Sequence, residues 1–104
     1  MYESMKVLLV EDDAIVRAGS AQALDLAGFQ VKAFDAAEPA LAQVKPGFAG
    51  IVVSDVRLPG MGGIELMAAV KAIDAQVPVI LVTGHGDISM AVGAMRGGAY
   101  DFIP

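Results

Sequence analysis

The 104-residue chain has the length of one small domain, and its 56% hydrophobic content with a mean hydropathy of +0.61 indicates a tightly packed interior. No apolar run approaches the ~20 residues of a membrane span, and the absence of cysteine excludes disulfides and thiolate metal sites. The net charge of −5 and the scattered basic residues argue against binding to nucleic acid or membrane surfaces. We therefore expect a cytoplasmic protein.

Short apolar runs alternate with longer stretches of helical period. In chain order, the predicted strands are 6–10, 29–34, 51–54, 77–83 and 100–103, and the predicted helices are 14–27, 37–44, 64–73 and 87–96. The residues expected on one face of the first helix are Val16, Ser20, Ala23, Leu24 and Ala27, and those expected to point inward from the third are Leu66, Met67, Val70 and Ile73. This alternation predicts a parallel sheet with helices on both faces.

Acidic residues follow two of the predicted strands. Glu11, Asp12 and Asp13 come after the first strand, Asp55 follows the third, and Thr83 ends the fourth. Ligands of such sheets bind at the carboxyl ends of the strands, so these side chains are expected to converge. Converging carboxylates repel each other unless a cation is present, and Mg²⁺ prefers carboxylate and phosphate oxygens.

Each of these residues also has a simpler interpretation when taken alone. Asp12 or Asp13 could serve only as a helix cap, which is the usual role of an aspartate at a strand-to-helix turn. Asp55 could be an ordinary loop acid, and Thr83 is unremarkable at a strand end. Their joint placement at one edge of the sheet favours the interpretation as a site for magnesium and a phosphoryl group.

Four motifs together resemble the receiver domain family of two-component response regulators. They are VEDD at 10–13 followed by Arg17, SDVRLPGMGG at 54–63, VILVTGHGD at 79–87 and GAYDFIP at 98–104. The resemblance extends over essentially the whole chain, in order. It implies a flavodoxin-like, doubly wound α/β fold with a parallel five-stranded sheet in the order 2-1-3-4-5.

The resemblance also implies a role for each matching residue. Asp55 would accept a phosphoryl group from a phosphohistidine of a sensor histidine kinase. The implied Mg²⁺ ligands are Glu11, Asp12, Asp55 and the backbone carbonyl of Arg57, with Asp13 as an extra acid and helix cap. The implied signalling residues are Thr83, whose hydroxyl would meet the phosphoryl group, Gly84, which would leave room for it, and Phe102, the aromatic switch. The domain would not be an enzyme, although it would assist its own phosphorylation and dephosphorylation.

The sequence departs from the family pattern at its end and in one loop. The family lysine would be the residue after Pro104, so residues 1–104 are expected to be a receiver domain truncated before that lysine and the fifth helix. Lys71 and Arg96 lie in predicted helices and do not replace the lysine. The sheet face left uncovered predicts homodimers or swapped oligomers, or low stability. Gly62 stands where the family often has aspartate and is interpreted as a turn variant.

The residues are also compatible with two other functions. A Mg²⁺-dependent, phosphatase-like hydrolase would need an acid–base group and a substrate cap, which are not evident, and the only histidine, His85, is interpreted as a solvated loop residue. A pseudo-receiver acting by contacts alone should have lost Asp55 or the acidic pair.

Motifs 23–29, 83–88 and 98–104 are similar to those of C4-dicarboxylate transport transcriptional regulators, which implies an output through a sigma-54 activator ATPase and a DNA-binding domain. The Thr-Gly-His-Gly-Asp motif also occurs in receivers of the nitrogen-fixation-regulator type, which carry helix-turn-helix outputs.

Overall fold

The structure of the chain is a computed structural model that describes residues 5–83 and 88–103. The strands are β1 (Lys6–Val10), β2 (Gln30–Phe34), β3 (Gly50–Asp55), β4 (Val79–Val82) and β5 (Asp101–Ile103). The helices are α1 (Ala14–Leu26), α2 (Ala37–Leu41), α3 (Gly63–Ile73) and α4 (Ile88–Arg96). Strands and helices alternate throughout, as the periodicity predicted.

The five strands form one parallel sheet in the order β2-β1-β3-β4-β5, which confirms the predicted topology. The strand order switches at β1 and β3: β2 lies on one side of β1, whereas β3, β4 and β5 follow on the other side. Ligands of doubly wound sheets bind at this switch point. Val10 lies opposite Ser54 in the register of these two strands. Consequently Glu11, the residue after β1, and Asp55, the last residue of β3, lie side by side at the edge of the sheet.

One face of the sheet carries most of the buried core. Leu8 of β1, Val52 of β3 and Leu81 of β4 point toward α2, α3 and α4, and each is at most 2% exposed. The predicted inward residues of α3 meet them: Leu66, Met67 and Val70 are buried, and Ile73 packs at the edge of the cluster. This face therefore supplies the rigid platform from which the strand ends project.

The opposite face is covered less completely. Among the described elements, α1 packs over it, and the predicted apolar face of α1 borders an apolar cavity of about 290 Å³ with Leu9, Val53 and Val82. No residue of α1 is fully buried, and Val16 remains 49% exposed. None of the helices described within residues 5–83 and 88–103 has the length and apolar content needed to cross a membrane.

Most element boundaries agree with the prediction to within two residues, and α2 differs most. The helical pattern predicts residues 37–44, but the α-helix ends at Leu41. The N–H groups of Gln43 and Val44 bond to carbonyls three residues back, at 3.0 Å each, so the last turn tightens before Pro46. The apolar pattern that runs to Val44 is nevertheless correct, since Val44 is buried.

The start of α3 lies against the end of β3 because residue 63 is glycine. A Cβ atom on Gly63 would collide with the carbonyl oxygen of Asp55 and would lie 2.9 Å from Cα of Val56. The N–H of Gly63 donates to the carbonyl of Val56 at 2.9 Å, which holds this close approach in place. The backbone that carries Asp55 is therefore fixed from the α3 side.

We expect Gly63→Ala to destabilise the protein by about 1–3 kcal/mol, because the collision is with backbone atoms that cannot rotate away. Gly19→Ala is a matched control in α1, where an added Cβ meets nothing within 4 Å. That change should stabilise the protein by about 0.5–1 kcal/mol through the greater helix propensity of alanine. Urea unfolding of both variants measures the difference, and equal stabilities would show that α3 does not press on β3.

Candidate functional site

Three acidic side chains meet at the carboxyl ends of β1 and β3. One carboxylate oxygen from each of Glu11, Asp12 and Asp55 lies within 4.8 Å of the other two. Glu11 and Asp55 are partly buried and Asp12 is exposed. We call these three residues the acidic cluster. The sheet thus brings together residues more than forty positions apart in the sequence.

The acidic cluster lines an open cavity of about 500 Å³. Its other lining residues are Asp13, Val16, Val82 and Thr83. The side chain of Thr83 is 2% exposed, and its backbone N–H donates to the carbonyl of Ile103 at 2.9 Å. Thr83 therefore connects the wall of this cavity with the end of β5.

The charges of the acidic cluster are not compensated by any ion pair among residues 5–83 and 88–103. Burial is the largest cause that raises the pKa of Glu11 from its ordinary 4.5 to about 7, and the charge of Asp55 and hydrogen bonds with Asp12 and Asp55 contribute to the same rise. The N–H of Asp13, which donates to Oε2 of Glu11 at 3.3 Å, acts in the opposite direction. Without a cation, the carboxyl of Glu11 therefore retains its proton close to neutral pH.

Asp13 does not point into the cluster but caps α1. Its Oδ1 accepts hydrogen bonds from the N–H groups of Ile15 at 2.9 Å and Val16 at 3.0 Å. The backbone of Asp13 is extended, as expected for a residue that precedes a helix. The helix-cap interpretation thus describes Asp13, whereas Asp12 belongs to the cluster.

The backbone around Asp55 is held by several hydrogen bonds. The hydroxyl of Ser54, which is fully buried, donates to the carbonyl of Asp55 at 2.8 Å. The N–H of Val56 donates to the carbonyl of Val82 at 2.9 Å. The N–H of Arg57 approaches Oδ1 of Asp55 at 3.4 Å, and the side chain of Arg57 is exposed.

Some of the predicted site residues fall wholly or partly outside the described structure. Gly84 and His85 lie outside the described residues, as does Pro104. Phe102 lies in β5 opposite Leu81 of β4, and this places its Cα on the strand beside β4. The sequence alone assigns no function to Ser54, Gly63 or the side chain of Arg17. Only their places within the quoted motifs could have singled them out.

We expect the pKa of Glu11 to fall below about 7 in Asp55→Asn, because a neighbouring like charge is removed, and to stay above 4.5, because burial, the largest cause of the rise, remains. Between pH 4.5 and about 7 the native wild type binds more protons than the unfolded chain, so its free energy of unfolding should decrease as the pH rises through this window. Above it, Asp55→Asn should be more stable than the wild type by about 1 kcal/mol, the size of one like-charge contact in a solvent-exposed setting.

NMR titration of the Glu11 carboxyl carbon and urea unfolding at several pH values measure the two effects. Asp25→Asn is the control, because it removes one negative charge from an exposed position of α1 outside the cluster. An unchanged Glu11 titration in Asp55→Asn would show that the two carboxyls do not interact.

Comparison with known proteins places these features in a family. The family model described as the response regulator receiver domain matches residues 7–104. The C4-dicarboxylate transport transcriptional regulatory protein DctD of Rhizobium meliloti (strain 1021) is 52% identical over 103 residues, which are 99% of this chain and 22% of that protein. The transcriptional regulatory protein FixJ of Bradyrhizobium diazoefficiens is 46% identical over 98 residues, which are 93% of this chain and 47% of that protein.

The solved structures agree with the sequence comparison. The crystal structure of FixJ-N superimposes with a TM-score of 0.86 at 41% identity and covers 98% of this chain and 82% of that one. The chain spans about a fifth of DctD and about half of FixJ, so the likeness concerns one part of these regulators. The chain therefore belongs to the receiver domain family of response regulators, as the sequence match, the sheet order and the acids at the strand ends together indicate.

Proposed function

We propose that this receiver domain is a phosphorylation-controlled switch in which Asp55 accepts a phosphoryl group in the presence of Mg²⁺. The convergence of Glu11, Asp12 and Asp55, with carboxylate oxygens within 4.8 Å of one another, is the observation that supports this proposal best. Three acids without an ion-paired partner favour a cation over any other ligand. Residues 1–104 would form the receiver unit of a longer regulator.

The donor set fits magnesium. Mg²⁺ is bound in proteins by one or two carboxylates together with water and phosphate oxygens, and thiolate or imidazole donors are not needed. In this chain Asp12 and Asp55 would hold the ion directly, Glu11 would hold it through water, and the carbonyl of Arg57 would be a further ligand. The raised pKa of Glu11 means that binding of a cation displaces a proton near neutral pH.

The transfer step needs little from the protein besides orientation and charge. One carboxylate oxygen of Asp55 forms a bond to phosphorus while the phosphorus–nitrogen bond of a kinase phosphohistidine breaks, and the imidazole leaves with the bonding electron pair. When bound, Mg²⁺ neutralises the charge that develops on the phosphoryl oxygens. The contacts from Ser54, Val56 and Gly63 hold the Asp55 backbone in a fixed position at the edge of the sheet.

Thr83 and Phe102 would carry the signal away from the phosphoryl group. Phosphorylation adds about −1.5 to −2 charges and three hydrogen-bond acceptors. The hydroxyl of Thr83, whose residue lines the same cavity as the acidic cluster, would donate to one of these acceptors, and Gly84 would leave space for the group. Because the backbone N–H of Thr83 donates to the carbonyl of Ile103, movement of Thr83 would be transmitted to β5, the strand that contains Phe102, the proposed switch residue.

The partners follow from the same proposal. The donor would be a sensor histidine kinase, and the domain would control a transcriptional output domain of the parent protein. Relatives of this chain include transcriptional regulators of C4-dicarboxylate transport and of phosphoglycerate transport, which favours an output of the sigma-54 activator class. The FixJ proteins, which are 41–46% identical to this chain, support the helix-turn-helix type of output as the second candidate.

The alternative functions have less support. A pseudo-receiver would act without phosphorylation, but Asp55 and both acids of the pair at 11 and 12 are present and close together. A Mg²⁺-dependent hydrolase would need a general acid beside Asp55 while the cation is bound. The cation displaces the proton of Glu11, and none of the other described residues that line the cavity is a histidine or a lysine. A pseudo-receiver also gives no reason for three acids to converge.

We expect incubation with acetyl phosphate and Mg²⁺ to add the mass of one phosphoryl group to the chain, because Asp55 is the carboxylate held at the cluster. Intact mass spectrometry measures the product, and omission of Mg²⁺ or the change Asp55→Asn should abolish it. The exposed Asp25→Asn variant is the matched control and should be labelled like the wild type. Labelling retained in Asp55→Asn would contradict the assignment of the acceptor.

We expect Thr83→Ala to be phosphorylated but to lose the response at β5, because the residue can no longer donate a hydrogen bond to the phosphoryl group. The net value of one such bond, about 1 kcal/mol, corresponds to about a fivefold change in the population of the switched state. Amide chemical shifts of Phe102 and Ile103 before and after addition of the phosphodonor report this population. Thr83→Ser keeps the hydroxyl and should respond, and equal responses in both variants would remove Thr83 from the switch.

A further inference from the structure

The side chain of Arg17 reaches back from α1 over the turn that carries the acid pair. Its Nη1 donates to the carbonyl of Glu11 at 2.9 Å and to the carbonyl of Asp12 at 3.4 Å. The guanidinium group therefore contacts the backbone of both acids and forms no ion pair with their carboxylates. The bond to Glu11 is partly buried, and such charge-assisted bonds are stronger than those of neutral groups.

The stability of α1 does not explain an arginine at this position. Arg17 is the fourth residue of α1 and lies in its first turn, where the helix dipole is positive and a cation is unfavourable. The contact with two carbonyls offsets this cost. A role in the turn itself accounts better for the residue.

The turn is anchored on both sides of the two carbonyls. The N–H of Glu11 donates to the carbonyl of Phe34 in β2 at 3.0 Å, and Asp13 is fixed by its capping bonds to α1. Between these anchors, Arg17 is the side chain in the described structure that holds the carbonyl groups of Glu11 and Asp12. Rotation of either peptide group would redirect the carboxylates that face Asp55.

We propose that Arg17 is a positioning residue that orients Glu11 and Asp12 and thereby sets the affinity of the acidic cluster for Mg²⁺. This inference rests on the proposed function, since it concerns the same cluster. It assigns to Arg17 an action through the peptide backbone, with no direct contact to the metal or the phosphoryl group.

Charge and orientation predict opposite effects when Arg17 is removed. If the positive charge of Arg17 were its only influence, Arg17→Met would relieve repulsion of the cation and strengthen Mg²⁺ binding. If Arg17 orients the acids, the same change would weaken Mg²⁺ binding by about tenfold, as is typical for loss of a group that supports metal ligands. The direction of the change therefore distinguishes the two models.

The experiment is a Mg²⁺ titration of the wild type, Arg17→Met, Arg17→Lys and Lys32→Met, followed by the backbone amide signals of residues 11–13 and 55. Lys32→Met removes the same charge from β2, where the lysine bonds to Gln43, and should bind Mg²⁺ like the wild type. Arg17→Lys retains the charge but not the planar group that reaches both carbonyls, and its affinity should fall between those of the wild type and Arg17→Met.

Unchanged or tighter binding by Arg17→Met would overturn the inference. If Arg17→Met does not fold, Arg17→Lys decides the question, because affinity equal to the wild type would overturn the inference and weaker affinity would support it. Failure of the wild type to bind Mg²⁺ would instead contradict the proposed function. The two failures are therefore distinguishable.

Discussion

Repulsion between carboxylates from different strands is the constraint on which the site depends. The register that places Val10 opposite Ser54 also makes Glu11 and Asp55 neighbours, so the sheet cannot form without bringing the acids together. Burial, with the nearby acids as further causes, raises the pKa of Glu11 to about 7. In the proposed function, a cation bound at the carboxyl ends of β1 and β3 would offset this repulsion and would prepare the same edge for a phosphoryl group.

The rest of the structure fixes the direction of these acids. The core packed on one face of the sheet holds the strand ends, and Gly63 lets the start of α3 press on the backbone of Asp55. Asp13 anchors the start of α1, and Arg17 holds the carbonyls of the acid pair from the next turn. The backbone of the site is therefore held in place while its cavity is open toward solvent, as the proposed transfer from a kinase would require.

Periodicity and strand-end placement predicted the order of the elements, the buried face of α3 and the convergence of Glu11, Asp12 and Asp55. They did not predict where α2 ends, because the shift to tighter hydrogen bonds before Pro46 leaves no mark on the apolar pattern. Nor did they predict the contacts of Arg17, since a side chain that bonds to carbonyls five and six residues back depends on the path of the turn. Sequence periodicity predicts which face of a helix or strand a side chain occupies, whereas contacts such as those of Arg17 depend on how the folded backbone brings distant groups together.

The most direct test of the account replaces Mg²⁺ with Mn²⁺, which accepts the same oxygen ligands and broadens NMR signals close to it. The account predicts that substoichiometric Mn²⁺ broadens the amide signals of residues 11–13 and 55–57 first, that excess Mg²⁺ restores them, and that Asp12→Asn reduces the effect. Broadening centred elsewhere in the chain, or the same broadening in Asp12→Asn, would contradict a cation site at the carboxyl ends of β1 and β3.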